Sequence, residues 1–387
     1  MRSIRPLPAA IGLVAALSLT ATACGPGEDV AADKPAASAT ADGGAAIPAD
    51  LADRLNEHGV DLDEWKNGEW KNWDKDTWLR EAKDFVNPMI KGLWKPERMK
   101  EAESPQRTMA AGENSGDQGV TDPEPQPVQA KPESKPYHRN AAPVGKVFFD
   151  APQGSMVCSA TVVKDPANPG RSNLVWTAGH CVHAGQEGGW YRNITFVPAY
   201  NDLGKSPAEL RNAQPQEIAP YGVYWADWVS TSGEWISEGG PTGGGGAPYD
   251  YAVMHVKPER GSTSLEETVG AALDVEFDAP EAKDIAAMGA WGYPAAPPYD
   301  GLIMHKCIDR PGRLSIGPGT PTMWRIGCTM TGGSSGGGWV VTRPNGKPAL
   351  VSNTSIGPVT AGWLAGPRLG EGAREIYTTM SGKFAGR

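Results

Sequence analysis

A glycine-rich stretch near the C-terminus has the composition of a loop that could hold a nucleophile. Residues 327–341 read GCTMTGGSSGGGWVV, in which Ser334 and Ser335 lie between glycines. Such a tract alone would also suit a flexible linker. Apolar and β-branched runs flank it, so the glycines are predicted to join two strands inside a core. In that setting glycine permits positive φ and close backbone approach, and amide groups surround the serine hydroxyl.

A serine hydroxyl is a weak nucleophile, so this hypothesis requires a base and a residue that orients the base. The strand-like run LVWTAGHCV contains His180 near its end, and the run DYAVMHV begins with Asp250. These side chains could form a chain of hydrogen bonds with a loop serine. Three alternatives stay open: a core role for His180, Asp227 as the acid, and Ser334 as the nucleophile. His183 and His255 are interpreted as structural.

The motifs TAGHC, DYAVMHV and GGSSGG, in the order His, Asp, Ser, resemble those of the chymotrypsin-like (trypsin-like) serine endopeptidases. The resemblance implies an all-β fold of two six-stranded antiparallel β-barrels, and hydrolysis of peptide bonds through an acyl-enzyme intermediate. It implies that His180, Asp250 and Ser335 are the catalytic residues. It also implies that the backbone amides of Gly333 and Ser335 form the oxyanion hole.

The residues around the nucleophile indicate a branch of this family. The family's Gly-x-Ser-Gly pattern fits GSSG, so Ser335 is favoured over Ser334. The GGSS form and the motif WGYP are similar to the bacterial glutamyl-endopeptidase-like branch. No carboxylate lies between Ile326 and Ser335, and the segment VSNTS has no histidine, so a neutral substrate side chain is the default. By the resemblance, the substrate pocket is lined by Thr329, Met330 and the segment 350–357, which includes Ser352 and Asn353.

Two rival functions stay open. One is a non-catalytic envelope lipoprotein that keeps the protease-like fold and binds a partner, and the other is an esterase that uses the same triad. The intact triad favours an enzyme with polypeptide substrates and no cofactor. Since base catalysis stops when His180 is protonated in mild acid, a neutral to alkaline optimum is predicted.

Five cysteines constrain the redox chemistry: Cys24, Cys158, Cys181, Cys307 and Cys328. An odd number in an exported chain requires an explanation, and modification of Cys24 would leave four that can pair. The resemblance implies a Cys158–Cys181 disulfide beside the histidine, which leaves Cys307–Cys328 as the second. Metal binding is the rival interpretation, but no CxxC or HExxH spacing is present, so no metal is predicted.

Residues 1–24 are interpreted as an export signal, because two arginines precede a short apolar run and ATAC follows it. The Ala-x-Ala-Cys ending resembles a bacterial lipoprotein cleavage site, which predicts a lipidated Cys24 and anchoring to the outer face of the cell membrane. Plain secretion to the extracellular side is the alternative. The net charge of −9, with no basic run, disfavours nucleic acid and anionic lipid as partners.

Composition divides the rest of the chain. Residues 25–47 are predicted to be a disordered tether, 101–140 a Pro-rich linker, and 141–387 the chymotrypsin-like domain. Residues 48–100 form a Trp-rich segment, and the spacing of Trp78, Ala82, Phe85 and Met89 predicts a helix that ends at about Asn87. Three interpretations of this segment stay open: a helical hairpin that buries its own aromatics, a prosegment that contacts the protease domain, and a carbohydrate-binding module.

Short strand-like runs at turn-bounded intervals support an all-β domain after residue 141. The glycine-rich insert 232–248, just before Asp250, is predicted to be a surface loop that affects substrate access. The strand predictions are residues 144–149, 155–163, 174–182, 193–199, 221–225, 249–256, 286–293, 302–308 and 349–354.

Overall fold

A computed structural model describes residues 61–73, 82–105, 108–109 and 120–386. The predicted export signal, the lipidated Cys24 and the tether lie outside these residues. Among the helices that are described, none has the length and apolar character needed to cross a bilayer.

Strands dominate the described residues. In chain order they are β1 (Asp84–Val86), β2 (Thr108–Met109), β3 (Lys131–Pro132), β4 (Val144–Ala151), β5 (Gly154–Val163), β6 (Leu174–Thr177), β7 (Arg192–Pro198), β8 (Tyr224–Thr231), β9 (Ala252–Pro258), β10 (Asp274–Val275), β11 (Met288–Gly292), β12 (His305–Asp309), β13 (Gly312–Leu314), β14 (Met323–Gly327), β15 (Gly338–Thr342), β16 (Pro348–Asn353), β17 (Gly357–Pro358) and β18 (Trp363–Gly366). The α-helices are α1 (Leu62–Lys66), α2 (Pro96–Glu101), α3 (Tyr137–Asn140), α4 (Pro207–Leu210), α5 (Pro215–Ile218), α6 (Gly233–Glu238), α7 (Leu265–Val269) and α8 (Glu371–Lys383). Short 3₁₀ helices are Glu69–Lys71, Gly179–Cys181, Gly244–Tyr249 and Ala282–Asp284.

Six of these strands close into an antiparallel barrel, here called the first barrel. Their order is β8-β7-β4-β5-β6-β9, and β9 pairs back to β8. Strands β4 to β7 are rich in Val, Phe, Ile and Thr, residue types that suit a pleated sheet, and their side chains fill the barrel. In the β6–β9 register Thr177 pairs with Ala252, so the end of β6 and the start of β9 lie at one edge of the barrel.

The second half of the domain is also built of strands. One six-stranded sheet has the order β10-β16-β15-β11-β12-β3, and a three-stranded sheet has the order β13-β14-β18. Buried Trp324 and Trp339 share a core with Met288 and Ile326. The predicted all-β class is therefore confirmed, and the second half consists of two hydrogen-bonded sheets.

The structure corrects the helix predicted around Phe85. Residues 84–86 form strand β1, which pairs antiparallel with β8 through Phe85 and Val229. The Phe85 ring also stacks on Trp190 at a centroid distance of 5.9 Å. Pairing with a strand far along the chain outweighs the helical spacing of the apolar residues. Trp78, part of the same prediction, lies outside the described residues.

Aromatic residues of the Trp-rich segment pack against the first barrel. The buried Arg192 guanidinium lies 5.1 Å from the Trp65 ring, 5.0 Å from Trp73 and 5.2 Å from Phe85. The Trp94 indole N–H donates to the Asn193 carbonyl at 2.7 Å. Burial lowers the pKa of Arg192 to about 9, and the aromatic faces offset part of that cost through cation–π attraction. These tryptophans are thus covered by the barrel.

Two other predicted surface segments are integrated into the domain. Within residues 120–140, expected to belong to a linker, β3 pairs with β12 and Asp122 forms an ion pair with Arg313 at 2.7 Å. The insert 232–248, expected to be a loop, contains α6 and a 3₁₀ helix. Its Trp235 is fully buried, because the indole packs beside His180 and donates to the His183 carbonyl at 2.9 Å.

Lys146 on β4 is a buried lysine that connects the first barrel to the second half. Its ammonium donates to the Gly301 carbonyl at 2.8 Å and lies 4.8 Å from the Tyr200 ring. Burial lowers the pKa of Lys146 to about 7, and nearby Asp300 opposes this shift. Between about pH 7 and its ordinary pKa, the unfolded chain therefore binds more protons at this residue than the folded one.

We expect Lys146→Met to increase the free energy of unfolding at neutral pH. By proton linkage the variant should exceed the wild type by on the order of 4 kcal/mol at pH 7, and the gap should narrow by roughly 1 kcal/mol per pH unit, to about 2 kcal/mol at pH 9. Urea unfolding at several pH values measures this gap. Lys131→Met, at an exposed lysine of β3, is the matched control, and a gap independent of pH would contradict the prediction.

Candidate active site

A buried histidine–aspartate pair lies at the barrel edge where β6 ends and β9 begins. The Asp250 carboxylate accepts from the His180 ring Nδ1 at 2.7 Å and from the His180 backbone amide at 2.8 Å. Both side chains are almost fully buried. Because the aspartate binds the ring and the backbone together, the tautomer with a proton on Nδ1 is favoured and the other ring nitrogen is left as a base.

Two polar side chains hold Asp250 in place. The Ser355 hydroxyl donates to the carboxylate at 2.5 Å, and the Asn353 amide donates to the Asp250 carbonyl at 2.9 Å. Asn353 in turn accepts from the Trp176 indole at 3.0 Å. Ser355 and Asn353 come from the second half of the domain, so the orientation of this carboxylate depends on both halves.

The glycine-rich loop between β14 and β15 forms a tight turn around Ser335. Ser334 donates through both its amide and its hydroxyl to the Thr331 carbonyl, so its hydroxyl serves the turn. Gly333 has φ of +95°, which a residue with a side chain adopts only with strain. The amides of Gly333 and Ser335 donate to no other described residue. These two amides are therefore available to bind an anionic oxygen beside the Ser335 hydroxyl.

Close packing brings this loop against the strand that leads to His180. The Ser335 carbonyl accepts from the Ser159 amide at 2.7 Å. A Cβ on Gly336 would lie 2.1 Å from the Thr177 hydroxyl, so only glycine fits there. Ser159 follows Cys158, which is disulfide-bonded to Cys181 next to the histidine. Two neighbouring residues of β5 therefore position both groups. Cys158 is bonded to the residue next to His180, and Ser159 binds the backbone of Ser335.

A cavity of about 230 Å³ opens beside Ser335. Its wall contains serine, threonine, glycine, proline and apolar residues, and none of its described lining residues carries a charge. The apolar part of the wall includes Met330, Ile356, Trp363 and Leu364.

The four residues predicted for the substrate pocket fall into two groups. Met330 lines the cavity. Thr329 instead accepts from the Ala130 amide at 2.9 Å, and Ser352 donates to the Pro367 carbonyl at 2.7 Å. Asn353 is occupied with Asp250 and Trp176, as described above. Ser355, Ile356 and Gly357, at the end of the predicted segment 350–357, do line the cavity. Pro358 and Trp363, which the sequence interpretation left out, line it as well.

The alternative acid, Asp227, belongs to a separate histidine–aspartate pair. Its carboxylate contacts His255 Nδ1 at 2.6 Å and Lys257 at 2.8 Å, and the His255 ring stacks on Phe384 at 3.6 Å. Burial by itself raises the pKa of Asp227, but His255 and Lys257 outweigh it and lower the pKa below its usual value. His183 accepts from the Gly185 amide and packs on Trp190. Both histidines therefore have structural contacts, as interpreted from the sequence.

The predicted disulfides Cys158–Cys181 and Cys307–Cys328 are both confirmed. Within the part of the chain that the structure describes, Cys158, Cys181 and His180 form the one His/Cys/acid cluster with atoms close enough for a metal ion. Because its two sulfurs are bonded to each other, they are not thiolates and do not suit a metal.

No protein-family model matches this sequence, and no curated protein matches it. Among solved structures, the chain is similar to the thermostable serine protease AL20 from an extremophilic microorganism, at 33% identity and a TM-score of 0.50, over 62% of this chain and 98% of that chain. It is also similar to the protease Anisep from Arthrobacter nicotinovorans, at 26% identity and a TM-score of 0.52, over 65% and 99% of the two chains. A Glu endopeptidase matches at 15% identity and a TM-score of 0.47, over 68% and 99%.

Proposed function

The chain belongs to the chymotrypsin-like serine protease family, and we propose that it is an exported serine endopeptidase with Ser335, His180 and Asp250 as its catalytic triad. One observation carries the proposal. The buried Asp250 carboxylate binds both the ring and the backbone of His180, at the barrel edge against which the Ser335 loop packs. A buried carboxylate in this position orients the imidazole and stabilises it when it becomes charged.

The proposed mechanism follows from these groups. The Ser335 hydroxyl oxygen attacks the carbonyl carbon of the scissile peptide bond, and its proton passes to His180 Nε2. The amides of Gly333 and Ser335 stabilise the negative oxygen of the tetrahedral intermediate. His180 then gives the proton to the leaving amine as the C–N bond breaks, which leaves an acyl-enzyme on Ser335. Water, activated by His180, hydrolyses the ester and restores the serine.

We assign the cavity beside Ser335 to the substrate side chain that precedes the scissile bond. Its described wall carries no carboxylate to attract lysine or arginine and no cation to attract glutamate. Binding a charged side chain there would cost desolvation without a compensating partner. A neutral side chain, apolar or small, is therefore the proposed preference.

We further propose that the enzyme works outside the cytoplasm, anchored through a lipidated Cys24. Two disulfides connect the other four cysteines, which suits an oxidising compartment. Mass spectrometry of Cys24 in membrane fractions tests the anchor.

Labelling with a fluorophosphonate identifies the nucleophile. We expect wild-type protein to bind one probe at Ser335, Ser335→Ala to bind none, and Ser334→Ala still to carry the label at Ser335, because the Ser334 hydroxyl is bonded to Thr331. Peptide mapping of the adduct checks this. If correctly folded wild-type protein takes no label, or if Ser335→Ala is still labelled, the proposed nucleophile is contradicted. The rival role, a non-catalytic protein that binds a partner, would then be favoured. Ester turnover without peptide turnover would instead indicate an esterase.

Asp250→Asn should reduce kcat on a peptide substrate by on the order of 10⁴, because the imidazole loses its orienting carboxylate. The second buried pair supplies a matched control, since Asp227→Asn makes the same chemical change at a histidine distant from Ser335. The kcat of Asp227→Asn, per folded molecule, should stay within about twofold of the wild-type value. Equal losses in the two variants, measured by initial rates on folded protein, would argue against the triad.

Profiling cleavage of a peptide library should show neutral residues before the scissile bond. Met330→Asp places a carboxylate in the cavity wall and should raise cleavage after lysine and arginine by about tenfold or more. Met330→Asn has nearly the same shape without the charge and should not. A wild-type preference for charged residues, or a gain with both variants, would contradict the assignment of the cavity.

A further inference from the structure

Residues preceding the domain run alongside the candidate active site. The Glu103 amide donates to the Ser155 carbonyl at 2.9 Å, and the Val157 amide donates to the Glu103 carbonyl at 2.7 Å. Glu103 thereby pairs with the edge of β5 between Ser155 and Val157, and Val157 directly precedes Cys158. This strand continues to Ser159 and the contacts that hold the Ser335 loop, so the chain enters the site on the side of the Cys158–Cys181 disulfide.

The next two residues lie over the loop of Ser335. Ser104 lines the cavity beside the nucleophile. A Cβ on Gly332 would lie 3.0 Å from the Ser104 hydroxyl oxygen and 3.3 Å from the Pro105 carbonyl oxygen. Gly332 directly precedes the proposed oxyanion-hole residue Gly333, so Ser104 and Pro105 lie beside the loop that carries that hole.

Residues 108 and 109 contact another part of the wall of the same cavity. Strand β2 pairs in parallel with β17, whose residues Gly357 and Pro358 line the cavity. The Met109 side chain is 5% exposed and packs in an apolar cluster with Ile356 and Trp363, which also line the cavity. Residues 103–105 therefore contact the site on the β5 side, and residues 108–109 contact it on the β17 side.

The residues that directly precede Glu103 are fixed to the first barrel. Met99 and Trp94 are buried in its core, and Arg98 forms an ion pair with Asp150 at 2.6 Å. Only a few residues separate this anchor from Glu103. A segment tethered so closely has an effective concentration in the millimolar range or higher, so even weak contacts keep it in place.

We propose that residues 103–105 and 108–109, here called the crossing segment, are a built-in inhibitor that occupies the substrate cleft. This inference rests on the proposed protease function. Extended peptides bind proteins by adding a strand to an exposed edge, with side chains in neighbouring pockets. The crossing segment uses the edges of β5 and β17 and fills an apolar site with Met109. A substrate that needs the same edges and the approach to Ser335 has to displace it.

The full-length chain and four variants test the proposal. Met109→Asp removes the apolar contact, and Glu103→Pro removes one donor to Ser155 at an exposed residue. Met109→Leu keeps the apolar contact, and Lys95→Ala changes an exposed residue upstream of the crossing. For each intact chain, verified by mass spectrometry, the second-order rate of fluorophosphonate labelling and kcat/KM for a peptide substrate are measured.

We expect Met109→Asp to increase both rates by about tenfold or more, and Glu103→Pro by about fivefold. Met109→Leu and Lys95→Ala should stay within about twofold of wild type. A merely structural role of Met109 would lower these rates, so the gain separates inhibition from loss of fold.

Two results overturn the inference in distinguishable ways. If wild type labels and hydrolyses peptide while folded Met109→Asp and Glu103→Pro are no faster, the inhibition is refuted and the protease function stands. If no variant labels or hydrolyses peptide at all, the protease function falls and the inhibition with it. Should Met109→Asp fail to fold by circular dichroism, the rate of Glu103→Pro decides.

Discussion

Ser159 makes the contacts on which the arrangement of the site depends. Its amide donates to the Ser335 carbonyl, and its hydroxyl donates to the Gly333 carbonyl and accepts from the Tyr293 amide. Its own carbonyl accepts from Thr177 at the end of the strand that leads to His180. One buried serine thus ties the first barrel to the loop of the second half. Its satisfied hydrogen bonds fix the loop in one conformation, since an unpaired buried polar group would be costly.

Each half of the domain holds only part of the chemistry. His180 and Asp250 come from the first barrel, whereas Ser335 and the described cavity wall, apart from Ser104, come from the second half. Ser355 crosses the boundary, because it lines the cavity and donates to the Asp250 carboxylate. The buried Lys146 also spans this boundary through Gly301. Polar groups therefore act together with an apolar cluster that contains Phe148 of the first barrel and Tyr293 and Met304 of the second half to set the relative position of the two halves.

The sequence was most informative where chemistry and strand pattern coincide. Predicted strands around Val147, Cys158 and Trp176 match β4, β5 and β6, because alternating or continuous apolar runs bounded by turns are local signals. The histidine–aspartate contact and both disulfides were likewise anticipated from motifs. Ser355 and Ser159 gave no such signal, since their roles arise from contacts with residues far along the chain. For the same reason the sequence predicts a helix where β1 lies, because its partner Val229 is distant in sequence.

The cluster of rings around Arg192 also bears on how the chain reaches its folded state. Synthesis proceeds from the N-terminus, so Trp65, Trp73 and Phe85 are made before Trp190, Arg192 and Val229, which later cover them. Until those partners have been synthesised, the nascent chain exposes these aromatic side chains to solvent. The early chain therefore depends on β7 and β8 to cover these rings, although β4 and β5 are already available to pair.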